Sequence, residues 1–264
     1  MIDHMSIFDR FRLNGKRLFI TGGSRGLGRE MALAIADAGA DVILTGRDQE
    51  SLDQTANEIR NLGREAWTIQ ADMGNPTASE SACTQALSEI GPIDILINNV
   101  GGRRENIPTE EMPLATWQEL IDLNLTSVFV CTKIIGGAMI EAGRGGRIIN
   151  ISSINALVAG RNIHGRHYET AKAAVVQFTK AIAVDWAAYK ITANAICPGG
   201  FMTAPNVRWS KENPEMIEDF RKQIPLGDFG PPEDLGPLAV YLASDASRYM
   251  TGATLVIDGG YTLV

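Results

Sequence analysis

Tyr168 and Lys172 stand four residues apart in Tyr168-Glu169-Thr170-Ala171-Lys172, a spacing that puts a phenol and an ammonium on one face of a helix. A free tyrosine has a pKa of about 10, too high for acid–base work at neutral pH. A nearby ammonium favours the phenolate. Bringing the phenol close to neutrality takes about 4 kcal/mol of differential stabilisation, within reach of a partly buried charge pair. Such a phenol can exchange a proton with a substrate oxygen. Upstream, Ile148-Ile149-Asn150-Ile151-Ser152-Ser153 closes an apolar run with two hydroxyls, and a serine there can hydrogen-bond a reacting oxygen. Taken alone, a Tyr-x-x-x-Lys pair also describes an ordinary exposed helix face, so its meaning depends on its surroundings.

Those surroundings begin with Leu18-Phe19-Ile20, a short apolar run followed by Thr21-Gly22-Gly23-Ser24-Arg25-Gly26-Leu27-Gly28 and a helical pattern from Arg29 to Ala36. The order strand, glycine turn, helix start makes a phosphate site: glycine lets a ligand approach the backbone, and the helix's unpaired N–H groups attract the anion. A dinucleotide pyrophosphate fits there, and its positive nicotinamide would add to the ammonium beside Tyr168. The next apolar run ends Leu44-Thr45-Gly46-Arg47, with Gly46 where an acid selecting NAD would stand. Arg25 and Arg47 around the missing carboxylate suit a 2′-phosphate, so NADP(H) is expected. In the competing reading the two arginines are solvated and Asp48 accepts the ribose hydroxyl of NAD.

The elements that must position these groups alternate. Strands are expected at Leu18 to Ile20, Val42 to Leu44, Ala66 to Gln70, Ile93 to Ile97, Arg147 to Ile151, Thr192 to Ile196 and Thr254 to Ile257. Helices are expected between them, among them Asp48 to Leu62 with Asp48 as N-cap, Ala78 to Ile90, Trp117 to Ile140, His167 to Tyr189 and Pro232 to Ser244. Continuously apolar strands separated by helices predict an α/β fold: a single doubly wound (Rossmann) domain over 1–264, its parallel sheet of about seven strands covered by helices on both faces. Net charge −7 and the absence of basic runs give no footprint for nucleic acid. The apolar stretches look too short to span a bilayer and Met1 to Arg17 is charged, so no membrane is expected and the chain is placed in the cytoplasm. Cys83, Cys131 and Cys197 are scattered without metal-ligand spacing, which fits buried thiols in a reducing compartment and no metal.

With these residues in view, the sequence resembles the short-chain dehydrogenase/reductase family along nearly its whole length. The resemblance rests on the turn Thr21 to Gly28, Asn98-Asn99-Val100-Gly101, Asn124, Ser153, Tyr168, Lys172, Pro198-Gly199 with Thr203, and Asp258-Gly259-Gly260. It implies Tyr168 as acid/base, Lys172 as the group that lowers its pKa and binds the nicotinamide ribose, Ser153 orienting the substrate oxygen, and Asn124 holding a water that relays protons. It further implies cofactor contacts from Gly22, Ser24, Arg25, Gly26, Leu27, Gly28 and Arg47, adenine contacts from Asp72 and Met73, contacts from Asn98 and Asn99 to the adenosine side of the cofactor and to the sheet, and nicotinamide contacts from Pro198, Gly199 and Thr203. Two departures stand out: Val100 replaces the usual alanine, and Ser153 precedes Tyr168 by 15 residues, about two more than usual. Ser152 or Asn155 can therefore share or take over the serine role.

The lengthened loop, Asn155 to His167, carries Arg161, His164, Arg166 and His167, and Arg103 and Arg104 follow Gly101-Gly102. Cations gathered locally in an acidic protein point to a polar, anionic small-molecule substrate such as a sugar acid, with Arg103, Asn155, Arg161 and His164 as contacts. The competing reading is a solvated loop. Within the family, members resembling gluconate 5-dehydrogenases share this pattern, and 3-oxoacyl thioester (acyl carrier protein) reductases are the alternative. A non-catalytic dinucleotide-sensing regulator is the alternative of another class, which retention of Tyr168 and Lys172 disfavours. The resemblance also implies a homotetramer and substrate-covering helices within 203–229.

Overall fold

The computed structural model describes residues 6–160 and 164–264, with all their side chains except those of Pro205 and Trp209. Seven strands form one wholly parallel sheet: β1 (Arg17–Thr21), β2 (Asp41–Gly46), β3 (Ala66–Gln70), β4 (Ile95–Asn98), β5 (Gly146–Ile151), β6 (Ile191–Pro198) and β7 (Thr254–Ile257). Their spatial order is β3-β2-β1-β4-β5-β6-β7. The order reverses between β1 and β4, and open α/β sheets bind ligands at the strands' C-terminal ends beside such a switch.

Side-chain alternation along the strands feeds two cores. Phe19, Ile43, Leu96, Ile148 and Ala193 face one side, where they meet α3 (Pro76–Gln85), α4 (Leu114–Ala142) and α5 (Arg166–Trp186). Leu18, Ile20, Val42, Leu44, Ile97 and Ile149 face the other, against α1 (Gly26–Asp37), α2 (Gln49–Asn61) and α8 (Leu235–Ala243). Helices α1 and α8 pack closely at Gly236, where an added Cβ would come within 2.7 Å of that of Ala34.

Asp48 caps α2 as expected, its carboxylate accepting from the Ser51 N–H at 3.4 Å and the Ser51 hydroxyl at 2.9 Å. Helix α3 starts two residues before the expected Ala78, because Asn75 accepts from the Ala78 N–H and Pro76 suits the first helical position. Segment 203–229 holds α6 (Ala204–Glu212) and α7 (Pro214–Lys222).

Helix α4 corrects one expectation. By length and composition it could cross a membrane, with a mean hydropathy of 1.6 over its most apolar window, yet half of that window is buried inside the molecule. Its apolarity is that of a core helix: Cys131, Ile135 and Met139 pack on the sheet. Two π turns interrupt it, Asp122–Thr126 and Thr132–Gly136. A buried polar chain ties it to the sheet and to α5. Asn98 Nδ2 donates to Thr132 Oγ1 at 3.1 Å and to Asn150 Oδ1 at 2.8 Å, and Asn150 Nδ2 donates to Thr179 Oγ1 at 2.8 Å.

Candidate active site

At the end of β1 the chain turns through Gly22 and Gly26 with φ of +69° and +57°, left-handed values that favour glycine. A Cβ on Gly28 would overlap the Gly22 carbonyl oxygen and Asn99 Nδ2, so the turn and α1 can close up only without it. Asn99 Nδ2 donates to the Thr21 and Gly22 carbonyls at 2.9 and 3.1 Å, while Thr21 Oγ1 accepts from the Asn99 and Val100 N–H groups. These bonds tie β1 to the end of β4 and hold the turn open toward a solvent-open groove. Arg25, Gly26, Leu27, Gly28 and Asn99 line one end of it.

The adenosine side separates the expected contacts. Gly46 faces Ser24: an added Cβ would lie 3.4 Å from the Ser24 hydroxyl. Asp48 is committed to capping, and its bonds from Ser51 hold its carboxyl below the usual carboxylate range, with Arg25 adding attraction. Arg47 is half exposed, 4.0 Å from Asp72. Met73 does not share the position of Asp72: its side chain is buried in the core below the sheet and its carbonyl accepts from Ser79. Asn98 is buried in the polar chain described above and aims at Thr132 and Asn150, away from the cofactor groove. Of the Asn98-Asn99 pair, Asn99 is the one at the groove.

The other end of the groove is lined by Ile151, Ser152, Ser153, Tyr168, Lys172, Pro198, Gly199 and Thr203, with Gly101 and Gly102 between. Lys172 is buried; its Nζ donates to the Ile151 carbonyl at 2.9 Å and stands 5.8 Å from the centroid of the Tyr168 ring. Ser152 donates to the Lys172 carbonyl at 2.7 Å, which fixes strand β5 to the first turns of α5. Ser153 caps the short turn Ile154–Ala156, and its hydroxyl hydrogen-bonds Tyr168. The lengthened loop therefore leaves Ser153, not Ser152, beside the phenol.

Asn124 sits in the first π turn, fully buried. Its Oδ1 accepts from the Gly102 N–H at 2.8 Å, and its Nδ2 donates to the Gly102 and Leu120 carbonyls. A Cβ on Gly101 would lie 2.8 Å from both Asn124 Oδ1 and Lys172 Nζ. The side chain of Asn124 thus shapes the Gly101-Gly102 turn.

Electrostatics differ from the simple Tyr–Lys picture. Burial pushes the Tyr168 phenol up, and the hydrogen bond with Ser153 and the charge of Arg103 pull it down. Burial also depresses Lys172 from 10.5 to about 8. The folded chain alone therefore does not make Tyr168 acidic; the positive charge of an oxidised nicotinamide would add to the pull toward phenolate. Cys197, which precedes Pro198, was absent from the sequence-based site. Its thiol bonds Ser152, and burial raises it. A small residue ending an apolar strand gives no signal that it will meet a lysine.

Of the expected substrate contacts, Arg161 lies outside the described residues. Arg103 lies with its guanidinium carbon 5.0 Å from the Tyr168 ring centroid. Its Nη1 donates to the His164 and Gly165 carbonyls at 2.7 and 3.2 Å, and its Nη2 donates to Asn155 Oδ1 at 3.4 Å and pairs with Glu169 at 3.5 Å. His164 contributes its backbone, and its side chain is exposed. Arg104 has φ +56° at the centre of a tight turn closed by the Glu105 N–H on the Arg103 carbonyl at 2.6 Å. The turn sends the neighbouring arginines apart: Arg103 to Tyr168, and Arg104 to the charges of Arg47 and Asp72. Buried His167 donates from Nε2 to the same Arg103 carbonyl at 2.9 Å. No metal-binding group of His, Cys, Asp and Glu occurs among the described residues.

Three comparisons place this geometry among known proteins. A family model described as enoyl-(acyl carrier protein) reductase matches residues 22–262. The 2-dehydro-3-deoxy-D-gluconate 5-dehydrogenase of Bacillus subtilis is 38% identical over 97% of this chain and 98% of its own. A short-chain type dehydrogenase/reductase from Mycobacterium marinum superposes with a TM-score of 0.89 at 39% identity, covering 98% of this chain and 100% of that one. A gluconate 5-dehydrogenase from Burkholderia cenocepacia, solved with NADP and tartrate, gives 0.90 at 34%, with 98% and 100% covered. A reversed-order parallel sheet, a glycine turn facing Tyr168 and Lys172 across one groove, and relatives of matching length together make the chain an oxidoreductase of the short-chain dehydrogenase/reductase family.

Proposed function

We propose that the protein interconverts a secondary alcohol and a ketone with NADP(H), on a polar and anionic substrate of the sugar-acid class. The observation that carries this reading is one groove that joins Arg25 and the glycine turn to Ser153, Tyr168 and Lys172. Bound there, the nicotinamide supplies or accepts the hydride. Tyr168 then gives a proton to the substrate oxygen in reduction and takes one in oxidation, Ser153 orients that oxygen, and Lys172 supports the phenolate and the ribose. Asn124 holds the Gly101-Gly102 turn against Lys172. Asp72 contributes beside adenine, and Pro198, Gly199 and Thr203 close the nicotinamide end. Helices α6 and α7, within 203–229, cover the substrate.

NADP(H) is preferred over NAD(H) because Gly46 stands in place of an acid, Asp48 is engaged in capping, Arg47 follows Gly46 directly, and Arg25 is near enough to attract the Asp48 carboxylate. The sugar-acid class is supported by the B. subtilis and B. cenocepacia relatives, the second of which was solved with a hydroxy acid. Turnover of gluconate, 2-dehydro-3-deoxygluconate, galactitol and acetoacetyl thioesters with NADP(H) and NAD(H), followed by cofactor absorbance, tests both choices. Activity confined to the neutral galactitol or to the thioesters would overturn the substrate class, and a strong NADH preference would overturn the cofactor. A thioester reductase is the second reading, favoured by the apolar pocket of Met112, Leu114 and Trp117 beside Arg166 and His167, which offers room for an acyl chain. The free, buried cysteines fit a cytoplasmic setting. The family resemblance supports a homotetramer, with exposed Phe129 on α4 and Val184 on α5 as apolar surface for subunit contacts, which light scattering tests.

A further inference from the structure

Tyr168 faces two cations from different elements. Lys172 approaches from its own helix at 5.8 Å, and Arg103 arrives from the loop after β4 at 5.0 Å over the ring face. We infer that Arg103 is a positioning residue for the acid–base step: it holds a permanent positive charge over Tyr168 and favours the phenolate, and it is not a ligand for the substrate's carboxylate. The inference rests on the assignment of Tyr168 as acid/base above.

Three observations carry it. The guanidinium is held by the chain's own acceptors, namely the His164 and Gly165 carbonyls, Asn155 Oδ1 and Glu169, and its side chain is only 20% exposed. Its backbone is fixed as well, since the Arg103 carbonyl accepts both the Glu105 N–H and buried His167 Nε2. A phenolate ring presents a more negative face than a phenol ring, so a cation stacked on it favours ionisation.

The remaining charged and titratable groups around the phenol leave this effect standing. Glu169 opposes Arg103, but Arg166 takes the same carboxylate with one Nη1 at 2.8 and 2.7 Å, so the trio retains one net positive charge. From β6, Cys197 opposes ionisation of Tyr168, and from the end of β5, Ser153 assists it. Lys172 loses its charge around pH 8, whereas a guanidinium keeps its charge throughout. Across the alkaline range Arg103 is the constant member of the pair.

The test follows tyrosinate ultraviolet absorbance against pH in protein saturated with whichever oxidised cofactor binds. The Tyr168→Phe spectrum is subtracted, and folding is checked by circular dichroism. Arg103→Gln should raise the Tyr168 midpoint by about one pH unit, a tenfold smaller phenolate fraction at neutral pH. Arg103→Lys, which keeps the charge without the planar fork, should stay within about half a unit of wild type. An unmoved midpoint in folded Arg103→Gln overturns the inference, as does a rise in KM for gluconate with an unchanged pH profile of kcat. Turnover retained in Tyr168→Phe would instead sink the acid/base assignment, which separates the two failures.

Discussion

Lys172 Nζ lies 5.8 Å from the Tyr168 ring centroid while donating to the Ile151 carbonyl at 2.9 Å, so strand β5 holds the ammonium at a fixed distance from the phenol. The pair is an arrangement of helix and strand together, since Ser152 anchors the Lys172 carbonyl at the same point. Removing the phenol's oxygen should leave the groove intact. Tyr168→Phe is expected to bind NADPH with near wild-type affinity by fluorescence titration and to lose about 10²–10⁴-fold in kcat.

Lys172 also makes stability depend on pH. Its folded pKa, about 8, is below the ordinary 10.5, so between those values the unfolded chain binds the extra proton. Burying the charged form destabilises the fold fully below pH 8, and that penalty fades as pH rises toward 10.5. Urea unfolding of Lys172→Met and wild type at pH 7 and pH 10 should show the stability of the variant relative to wild type falling with pH by up to about 3 kcal/mol. A difference independent of pH would contradict it.

Arg25 and Arg47 should distinguish the two dinucleotides. Arg47→Gln is expected to weaken NADPH binding about tenfold, the worth of one charge-assisted contact. NADH affinity should change by less than about twofold, and equal losses for both would show that Arg47 does not read a 2′-phosphate.

Gly28→Ala would push a methyl group into the Gly22 carbonyl and Asn99 Nδ2. Overpacking of this kind costs about 1–3 kcal/mol, so a lowered Tm together with lost NADPH binding is expected. Unchanged values for both would mean that the turn has more room than its backbone indicates.

Asn150→Ala removes the acceptor of Asn98 Nδ2 and the donor to Thr179. Leaving buried polar partners unmet costs about 1–3 kcal/mol each. The variant should therefore unfold at lower urea concentration with an unchanged m-value.

Much of this was legible because its causes are local. Asp48 is a polar cap three residues before an N–H it can reach, and Leu18 to Ile20 is apolar because both faces of β1 are covered. Where the cause was distant, sequence said less. Nothing near Asn98 shows that its side-chain partners are Thr132 and Asn150, so its part in the sheet could not be told from a part at the cofactor, and nothing near Met73 shows that its side chain is buried in the core. The π turn at Asn124 has no compositional mark. Arg103 read as a free guanidinium because the loop that occupies its donors lies about sixty residues downstream, and only the closed fold brings the two loops together.

The order β3-β2-β1-β4 has a consequence for the growing chain. By residue 70 both neighbours of β2 have been synthesised, and the glycine turn has its strand and helix. The second edge of β1 must wait for Ile95–Asn98. Over that interval of synthesis an apolar strand has one bare edge, open to pairing with another nascent chain, and the same exposure passes outward to β4, β5 and β6 in turn until β7 closes the series.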